Sequence, residues 1–105
     1  MTPYSMMAIY PHIYKQLSYD PVKDFAPVSL VSRVSAMLVV PPDSPARSVA
    51  ELIAMAKEKP GSLSYASGGN GGIGHYSGEL LKTNGGNLDI VHVPYKSAAE
   101  QVTSV

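Results

Sequence analysis

The sequence predicts an α/β fold with a mainly parallel sheet flanked by helices. In the second half of the chain, short apolar runs alternate with segments of helical periodicity. Two S-x-x-E capping boxes mark helix starts, and a glycine-rich loop directly follows one predicted strand. Ligands of such sheets bind beyond the carboxyl ends of the strands, so we expect a binding site at this loop.

The first predicted element is a short amphipathic helix near the start of the chain. Its apolar side chains recur at i, i+3, i+4 and i+7, and Pro11 lies in its first turn. These apolar positions are Tyr10, Ile13, Tyr14 and Leu17. A polar, proline-containing connection, YDPVKDF, follows.

Residues 28–40 are predicted to be extended. Val28 and Leu30 alternate with Ser29, and the run from Met37 to Val40 is apolar throughout. Thirteen extended residues would span about 43 Å, which is long for one strand. A strand pair, or one segment crossing between two lobes, fits this length better.

The remaining elements are each bounded by a local start or stop signal. Capping boxes begin two helices, prolines and glycines end helices and strands, and apolar runs mark the strands. In chain order we expect a helix from Ser48 to Pro60-Gly61, a strand Leu63–Ser67, a helix from Ile73 to Asn84-Gly85-Gly86, a strand Ile90–Val93 and a helix begun by Ser97 and Glu100.

Composition excludes several function classes. The 105 residues suit one ordinary domain, and eight acidic residues balance eight basic ones, so no basic patch for nucleic acid is expected. Cysteine is absent and the three histidines are far apart in sequence, so we expect no thiolate chemistry and no metal site. The first residues lack a signal-peptide pattern, and no apolar run is long enough to span a membrane.

The glycine-rich loop has the properties of a small-anion site. Residues 68–72, GGNGG, leave backbone amides unshielded at the start of a helix, where the helix dipole favours negative charge. The loop carries no Lys or Arg, which a multiply charged phosphate would normally recruit, so a carboxylate is the favoured ligand. The loop also carries no side chain suited to catalysis, and binding without chemistry is therefore expected.

Other interpretations of the loop stay open at this point. Gly69, Gly71 and Gly74 fit the G-x-G-x-x-G dinucleotide fingerprint, but Asp89, the only acid at a plausible distance, precedes the next strand instead of ending it. Neither a P-loop nor a G-x-S-x-G elbow is present, and nothing in the sequence pairs Ser67 with His75. The loop could also be a turn that merely lets a helix pack closely on a sheet.

Three motifs together resemble one family. KDFAPVSLV, SYASGGNGG with a histidine after it, and HVPYKS are similar to segments of the Bug-type extracytoplasmic solute receptors. These are the substrate-binding components of tripartite tricarboxylate transporters. The likeness extends from about Ile9 to the end of the chain.

The resemblance implies a periplasmic binding protein-like (type II) two-lobed fold, of which this chain is a partial, alternating strand–helix fragment. Residues 1–40 would then form the end of the first lobe and the segment crossing between lobes. Residues 41–105 would form part of the second lobe, with the glycine-rich ligand loop. The implied protein is periplasmic, is not an enzyme, needs no cofactor, binds a small carboxylate and works with membrane permease subunits. Uncovered strand edges in such a fragment favour self-association.

Site residues are carried over from the resemblance position by position, and none of them is catalytic or metal-ligating. The Ser67 hydroxyl and the loop amides would bond a carboxylate, His75 would chiefly brace the loop, and Tyr95 would contact the ligand. The predicted ligand-binding residues are Ser67, Gly68, Gly69, Asn70, Gly71, Gly72, His75 and Tyr95. His92 is expected to be a core or hydrogen-bonded residue, and Lys96 to be solvated.

Three alternative functions accompany this hypothesis. One is a ligand-sensing module that signals to a partner, which the sequence does not separate from a transport receptor. Another is a fragment of a nucleotide-binding α/β enzyme, which needs an acid that holds the ribose. The last is a non-functional remnant of a truncated gene.

Overall fold

The computed structural model describes residues 3–104, which hold five helices and two strands. They divide into two compact units, with the boundary between Ser35 and Ala36. No helix within residues 3–104 is long and apolar enough to cross a lipid bilayer. In chain order the elements are α1 (Tyr4–Ala8), α2 (Tyr10–Ile13), α3 (Val49–Glu58), β1 (Leu63–Ser67), α4 (Ile73–Asn84), β2 (Ile90–Pro94) and α5 (Ala98–Thr103).

The first unit contains two short helices where one was predicted. The predicted helix begins at Tyr10 with Pro11 in its first turn, but it ends at Ile13 because Tyr14 has an extended backbone. Leu17 therefore lies outside it, and α1 was not predicted. The Tyr10 and Tyr14 rings still meet edge to face, with their centroids 5.1 Å apart, so the helical spacing does bring the aromatic side chains together.

The prediction of a strand pair in residues 28–40 is wrong. This segment forms neither helix nor strand, and its apolar side chains are exposed, with Val28 at 97% and Met37 at 85% of their accessible surface. A strand is stabilised by the hydrogen bonds of a neighbouring strand. Among residues 3–104, only β1 and β2 pair in this way. Alternation of apolar residues alone therefore did not produce a strand.

The serine caps of both predicted capping boxes are confirmed, whereas the Glu51 and Glu100 carboxylates accept from the amide one residue before each cap, Arg47 and Lys96. The Ser48 hydroxyl accepts from the Glu51 amide at 3.2 Å, and α3 begins at the next residue after Ser48. Ser97 and Glu100 make the same bond at 3.2 Å at the start of α5. A cap of this kind is typically worth about 1 kcal/mol, which is a substantial share for helices of ten and six residues.

The sheet consists of two parallel strands in the described residues. β1 and β2 pair from Leu63 with Ile90 to Ser67 with Pro94, which confirms the predicted parallel strand–helix–strand arrangement for these elements. The core of the unit is small: buried Ala56 of α3 packs with Leu88 and Ile90. Ile53, Leu63 and Tyr65 pack partly buried against this cluster. These buried contacts hold α3 against the start of β2, whose first residue is Ile90.

Helix α4 approaches β1 closely at a glycine. A Cβ on Gly78 would lie 2.3 Å from ring carbon Cε2 of Tyr65, a distance that real side chains do not adopt. The Tyr65 hydroxyl also donates to Glu79 Oε1 at 2.9 Å, so the ring is fixed against the helix. Gly78 is therefore required for the packing of α4 on the sheet.

We expect Gly78→Ala to lower the free energy of unfolding by about 1–3 kcal/mol through overpacking. This loss should outweigh the helix propensity that alanine adds, which is about 1 kcal/mol. Urea denaturation followed by circular dichroism measures the change. In a Tyr65→Ala background the same substitution should be neutral or stabilising, because its clashing partner is gone. Equal losses in both backgrounds would contradict the close approach.

Candidate functional site

The glycine loop, residues 68–72, joins the carboxyl end of β1 to the start of α4. The neighbouring strand β2 ends beside it, since Ser67 pairs with Pro94 and the Tyr95 amide donates to the Ser67 carbonyl at 2.8 Å. A Cβ on Gly69 would lie 4.0 Å from the Tyr95 carbonyl oxygen. The structure thus brings all the sequence-predicted site residues to one edge of the sheet.

Two positions of the glycine loop have backbone angles that favour glycine. Gly69 has a φ of +117° and Gly71 a φ of +78°. The Gly69 carbonyl accepts from the Gly72 amide at 3.4 Å, which closes the turn. L-residues with a side chain are strained at such angles. The loop conformation therefore depends on glycine at positions 69 and 71.

Several amides at the start of α4 make no backbone hydrogen bond within residues 3–104. They are the amides of Gly68, Asn70, Ile73, Gly74 and His75, whereas the amides of Gly69 and Gly71 bond the side chains of Ser67 and His75. The N-cap residue Gly72 also has no side chain to cap the helix. Helix N-termini with unpaired amides attract anions through their N–H groups and the helix dipole. This edge of the sheet therefore has the donors for an anion and no fixed positive charge inside the loop.

Ser67 is fully buried, with none of its surface accessible. Its Oγ lies 2.6 Å from His92 Nε2, 3.3 Å from the Gly69 nitrogen and 3.2 Å from the Gly69 oxygen. The hydroxyl therefore links the glycine loop, through Gly69, to β2, through His92. The direct contact with a ligand that the sequence suggested for this hydroxyl stays a prediction.

His75 braces the glycine loop, as the sequence predicted. Its Nδ1 accepts a hydrogen bond from the Gly71 amide at 3.0 Å. A backbone N–H can only donate, so this nitrogen must carry a lone pair and not a proton. The loop shape seen here therefore requires an unprotonated Nδ1 on His75.

His92 is a central residue of the site that was not among the predicted ligand-binding residues. Its ring stacks on Tyr65 with centroids 4.8 Å apart and on His75 with centroids 4.3 Å apart. We call these three rings the ring stack. The sequence did contain a signal for the position of His92. Side chains alternate along a strand, so Tyr65 and Ser67 lie on the same face of β1. The parallel register then places His92 of β2 beside Tyr65. That register cannot be known before β1 and β2 are shown to pair.

Charged groups on α4 border the ring stack. Burial, followed by the nearby His75, lowers the pKa of His92. Lys82 Nζ lies 2.9 Å from Glu79 Oε1 and is the main reason that the pKa of Glu79 is lowered. Burial, followed by the hydrogen bond to Glu79, raises the pKa of Tyr65, so its hydroxyl stays protonated and donates. The ring stack therefore favours a neutral His92, and the charges of Glu79 and Lys82 beside it offset each other.

The stability of the chain should rise with pH through the histidine range. A lowered pKa of His92 in the folded state means that the unfolded state binds more protons, so stability is full above about pH 6.5 and declines as the pH falls below it. Glu79 adds a second decline at lower pH, since stability from a lowered carboxyl pKa is lost as the carboxylate protonates. Urea unfolding at a series of pH values measures both. His92→Gln should remove only the first decline, and an unchanged decline in this variant would contradict its assignment to His92.

The Ser67–His92 contact resembles a nucleophile–base pair, but its surroundings do not suit catalysis. A nucleophile must reach a substrate carbonyl, whereas Ser67 has no accessible surface. Among the described residues, no hydrogen-bonding third group orients His92 through its other ring nitrogen. The pair therefore serves to hold the loop.

Asp89 lies far from the glycine loop. It directly precedes β2, whose first residue Ile90 pairs with Leu63, and its carboxylate is near Gly61. The loop follows Ser67 at the other end of the strand pair, about 13 Å away for four residue steps. The acid that would hold a ribose next to a dinucleotide fingerprint is therefore not at this site.

Several known proteins are similar in sequence to this chain. A family model described as the tripartite tricarboxylate transporter family receptor matches residues 1–105. A UPF0065 protein in the tcbD-tcbE intergenic region of Pseudomonas sp. (strain P51) is 37% identical over 92 residues, covering 88% of this chain and 27% of the relative. A UPF0065 protein in the gbd 5' region of Cupriavidus necator is 37% identical over 90 residues, covering 86% of the chain and 27% of the relative. Protein BugT of Bordetella pertussis is 32% identical over 89 residues, covering 85% and 27%. The chain thus spans about a quarter of the length of these relatives.

Proposed function

This chain belongs to the tripartite tricarboxylate transporter receptor family, a family of solute-binding transport receptors, and we propose that it carries the carboxylate-binding loop of such a receptor. The ligand is a small carboxylate bound at the glycine loop, with no chemistry performed on it. The receptor delivers this ligand to membrane permease subunits and works in the periplasm. Ser67, Gly68, Gly69, Asn70, Gly71, Gly72, His75 and Tyr95 are the residues proposed to form or hold this half of the site.

The observation that carries the proposal is the set of unpaired amides around the glycine loop. The amides of Gly68 and Asn70 in the loop, and those of Ile73, Gly74 and His75 in the first turn of α4, have no backbone partner within residues 3–104. Each charge-assisted hydrogen bond to a carboxylate is worth about 1.5–3 kcal/mol where water is excluded. Two or three such bonds account for capture of a carboxylate without any Lys or Arg in the loop.

Exclusion of water is the role we propose for a second lobe. The receptor would have the two-lobed type II fold, with residues 1–40 at the end of the first lobe and residues 41–105 in the second. Closure of the lobes over the glycine loop would remove water from the bound carboxylate and strengthen its hydrogen bonds. The length of the relatives, of which this chain spans 27%, is consistent with a larger whole.

Native mass spectrometry of the purified 105-residue chain tests the proposal. We expect a mass increase with succinate or citrate at millimolar concentration and none with succinamide, the uncharged counterpart of succinate. Inorganic phosphate and NAD are added in competition with the carboxylates, because they represent the two alternative ligand classes, phosphates and dinucleotides. Binding of NAD in preference to the carboxylates, or equal binding of succinate and succinamide, would contradict a carboxylate site.

We also expect the isolated chain to self-associate. Its segment 28–40 exposes apolar side chains along most of its length, including Val28, Leu30, Val31, Val34 and Met37. Exposed apolar patches favour association between chains. Sedimentation velocity over a range of concentrations should give species heavier than the 11.1 kDa chain. The variant Val31→Lys/Val34→Lys should shift the distribution toward the monomer, and a monomer at all concentrations would contradict the prediction.

A further inference from the structure

The stacked imidazoles of His75 and His92 tie the glycine loop to the rest of the unit at two points. His75 Nδ1 accepts from the Gly71 amide at 3.0 Å, and His92 Nε2 lies 2.6 Å from the Ser67 hydroxyl. The two rings are nearly parallel, 9° apart, with their centroids separated by 4.3 Å. His75 therefore holds the loop at Gly71, and His92 holds it at Ser67, the last residue before the loop. The two rings also pack against each other.

The His75 contact requires a neutral ring, whereas the Ser67 hydroxyl can either donate to His92 Nε2 or accept from it. Protonation of His75 at Nδ1 would place an N–H against the Gly71 N–H and break the bond that braces the loop. Protonation of both rings would stack two cations at 4.3 Å. The groups that face the pair are Tyr65 and Ser67 from β1 and Glu79 and Lys82 from α4. Glu79 is bonded to both Tyr65 and Lys82, so it offers only partial compensation for added charge.

We propose that His75 and His92 are positioning residues and that His75 holds the glycine loop in its anion-binding shape only while its Nδ1 is unprotonated, so that acidification weakens binding of an anionic ligand. The effect on affinity rests on the proposed function, whereas the effect on the loop does not. Histidine changes charge between about pH 5 and 8, so the loss falls in mildly acidic conditions. Burial and then the nearby His75 lower the pKa of His92, as expected of a stacked pair in which positive charge is disfavoured.

The sign of the pH effect separates positioning from direct contact. If His75 bound the carboxylate itself, acidification would add a positive charge beside the ligand and strengthen binding. If His75 only holds the Gly71 amide, acidification releases the loop and weakens binding. The two roles therefore predict opposite slopes of affinity against pH in the same experiment.

The test uses the 105-residue chain and the variant His75→Asn. The asparagine Oδ1 occupies nearly the position of the histidine Nδ1, so it can accept from Gly71 but cannot titrate. Calorimetric titration with tartrate, which stays ionised in this range, is done near pH 8 and pH 5.5. Affinity of the wild type should fall by about threefold or more on acidification, while that of the variant should change by less than about twofold. Affinity of the wild type that rises on acidification would overturn the proposal.

A measurement without ligand keeps the inference separate from the proposed function. Amide hydrogen exchange of Gly71, corrected for the intrinsic pH dependence of exchange, should lose protection on acidification in the wild type and keep it in His75→Asn. Protection that is independent of pH in the wild type would overturn the proposal whatever any variant does. Loss of protection together with no binding of tartrate, succinate or citrate would support the positioning role and reject the carboxylate site.

Discussion

Gly69→Ala is expected to weaken carboxylate binding by about tenfold or more, whereas Gly68→Ala should leave it within about twofold. Gly69 has a φ of +117°, and a side chain at such an angle costs about 1–3 kcal/mol, equivalent to about 5- to 150-fold in an equilibrium constant. The loop would escape this strain by changing shape, which would move the neighbouring amides of Gly68 and Asn70 that are proposed to bind the carboxylate.

Gly68 is a close control because it is the adjacent residue. Its backbone angle is not in the left-handed region, and a Cβ there would meet only Gln101 Oε1, at 3.9 Å. Both substitutions keep every backbone amide and add the same methyl group. Calorimetric titration with the carboxylate that gives the strongest native mass shift measures the difference. Equal loss in the two variants would mean that the shape of the loop does not determine binding.

The helices and strands near the site were largely predictable because they are bounded by local sequence signals. Capping boxes at Ser48 and Ser97, and the stop at Asn84-Gly85-Gly86, are local signals whose physical effect is complete within four or five residues. The structure places α3, β1, α4, β2 and α5 where those signals put them, to within a few residues. The positive φ at Gly69 and Gly71 likewise agrees with a loop made of glycine.

Residues 28–40 and His92 show where sequence information ends. A strand needs a partner, and nothing in the composition of residues 28–40 states whether a partner is present, so alternation alone misled the prediction. His92 lies 25 residues from Ser67, and their contact depends on the register of β1 with β2. Such a contact is tertiary, and no spacing within either segment encodes it.

Ser67→Ala is expected to destabilise the second unit by about 1–3 kcal/mol, because it leaves partly buried polar groups of His92 and Gly69 without their partner. The hydroxyl of Ser67, which has no accessible surface, lies 2.6 Å from His92 Nε2 and within 3.3 Å of both the nitrogen and the oxygen of the half-buried Gly69. A small core built around Ala56, Leu88 and Ile90 offers little reserve against such a loss. Urea denaturation monitored by circular dichroism measures it.

Ser64→Ala is the matched control for this loss, since Ser64 lies exposed on the same strand β1 and changes by the same atom. It should alter the free energy of unfolding by less than about 0.5 kcal/mol. A fluorophosphonate probe distinguishes a structural serine from a nucleophile, because only an accessible, activated hydroxyl reacts with it. We expect no labelling of the folded wild type. Labelling that disappears in Ser67→Ala, with stability unchanged, would instead make the Ser67–His92 contact a catalytic pair and would remove the reason for treating the loop as a purely binding element.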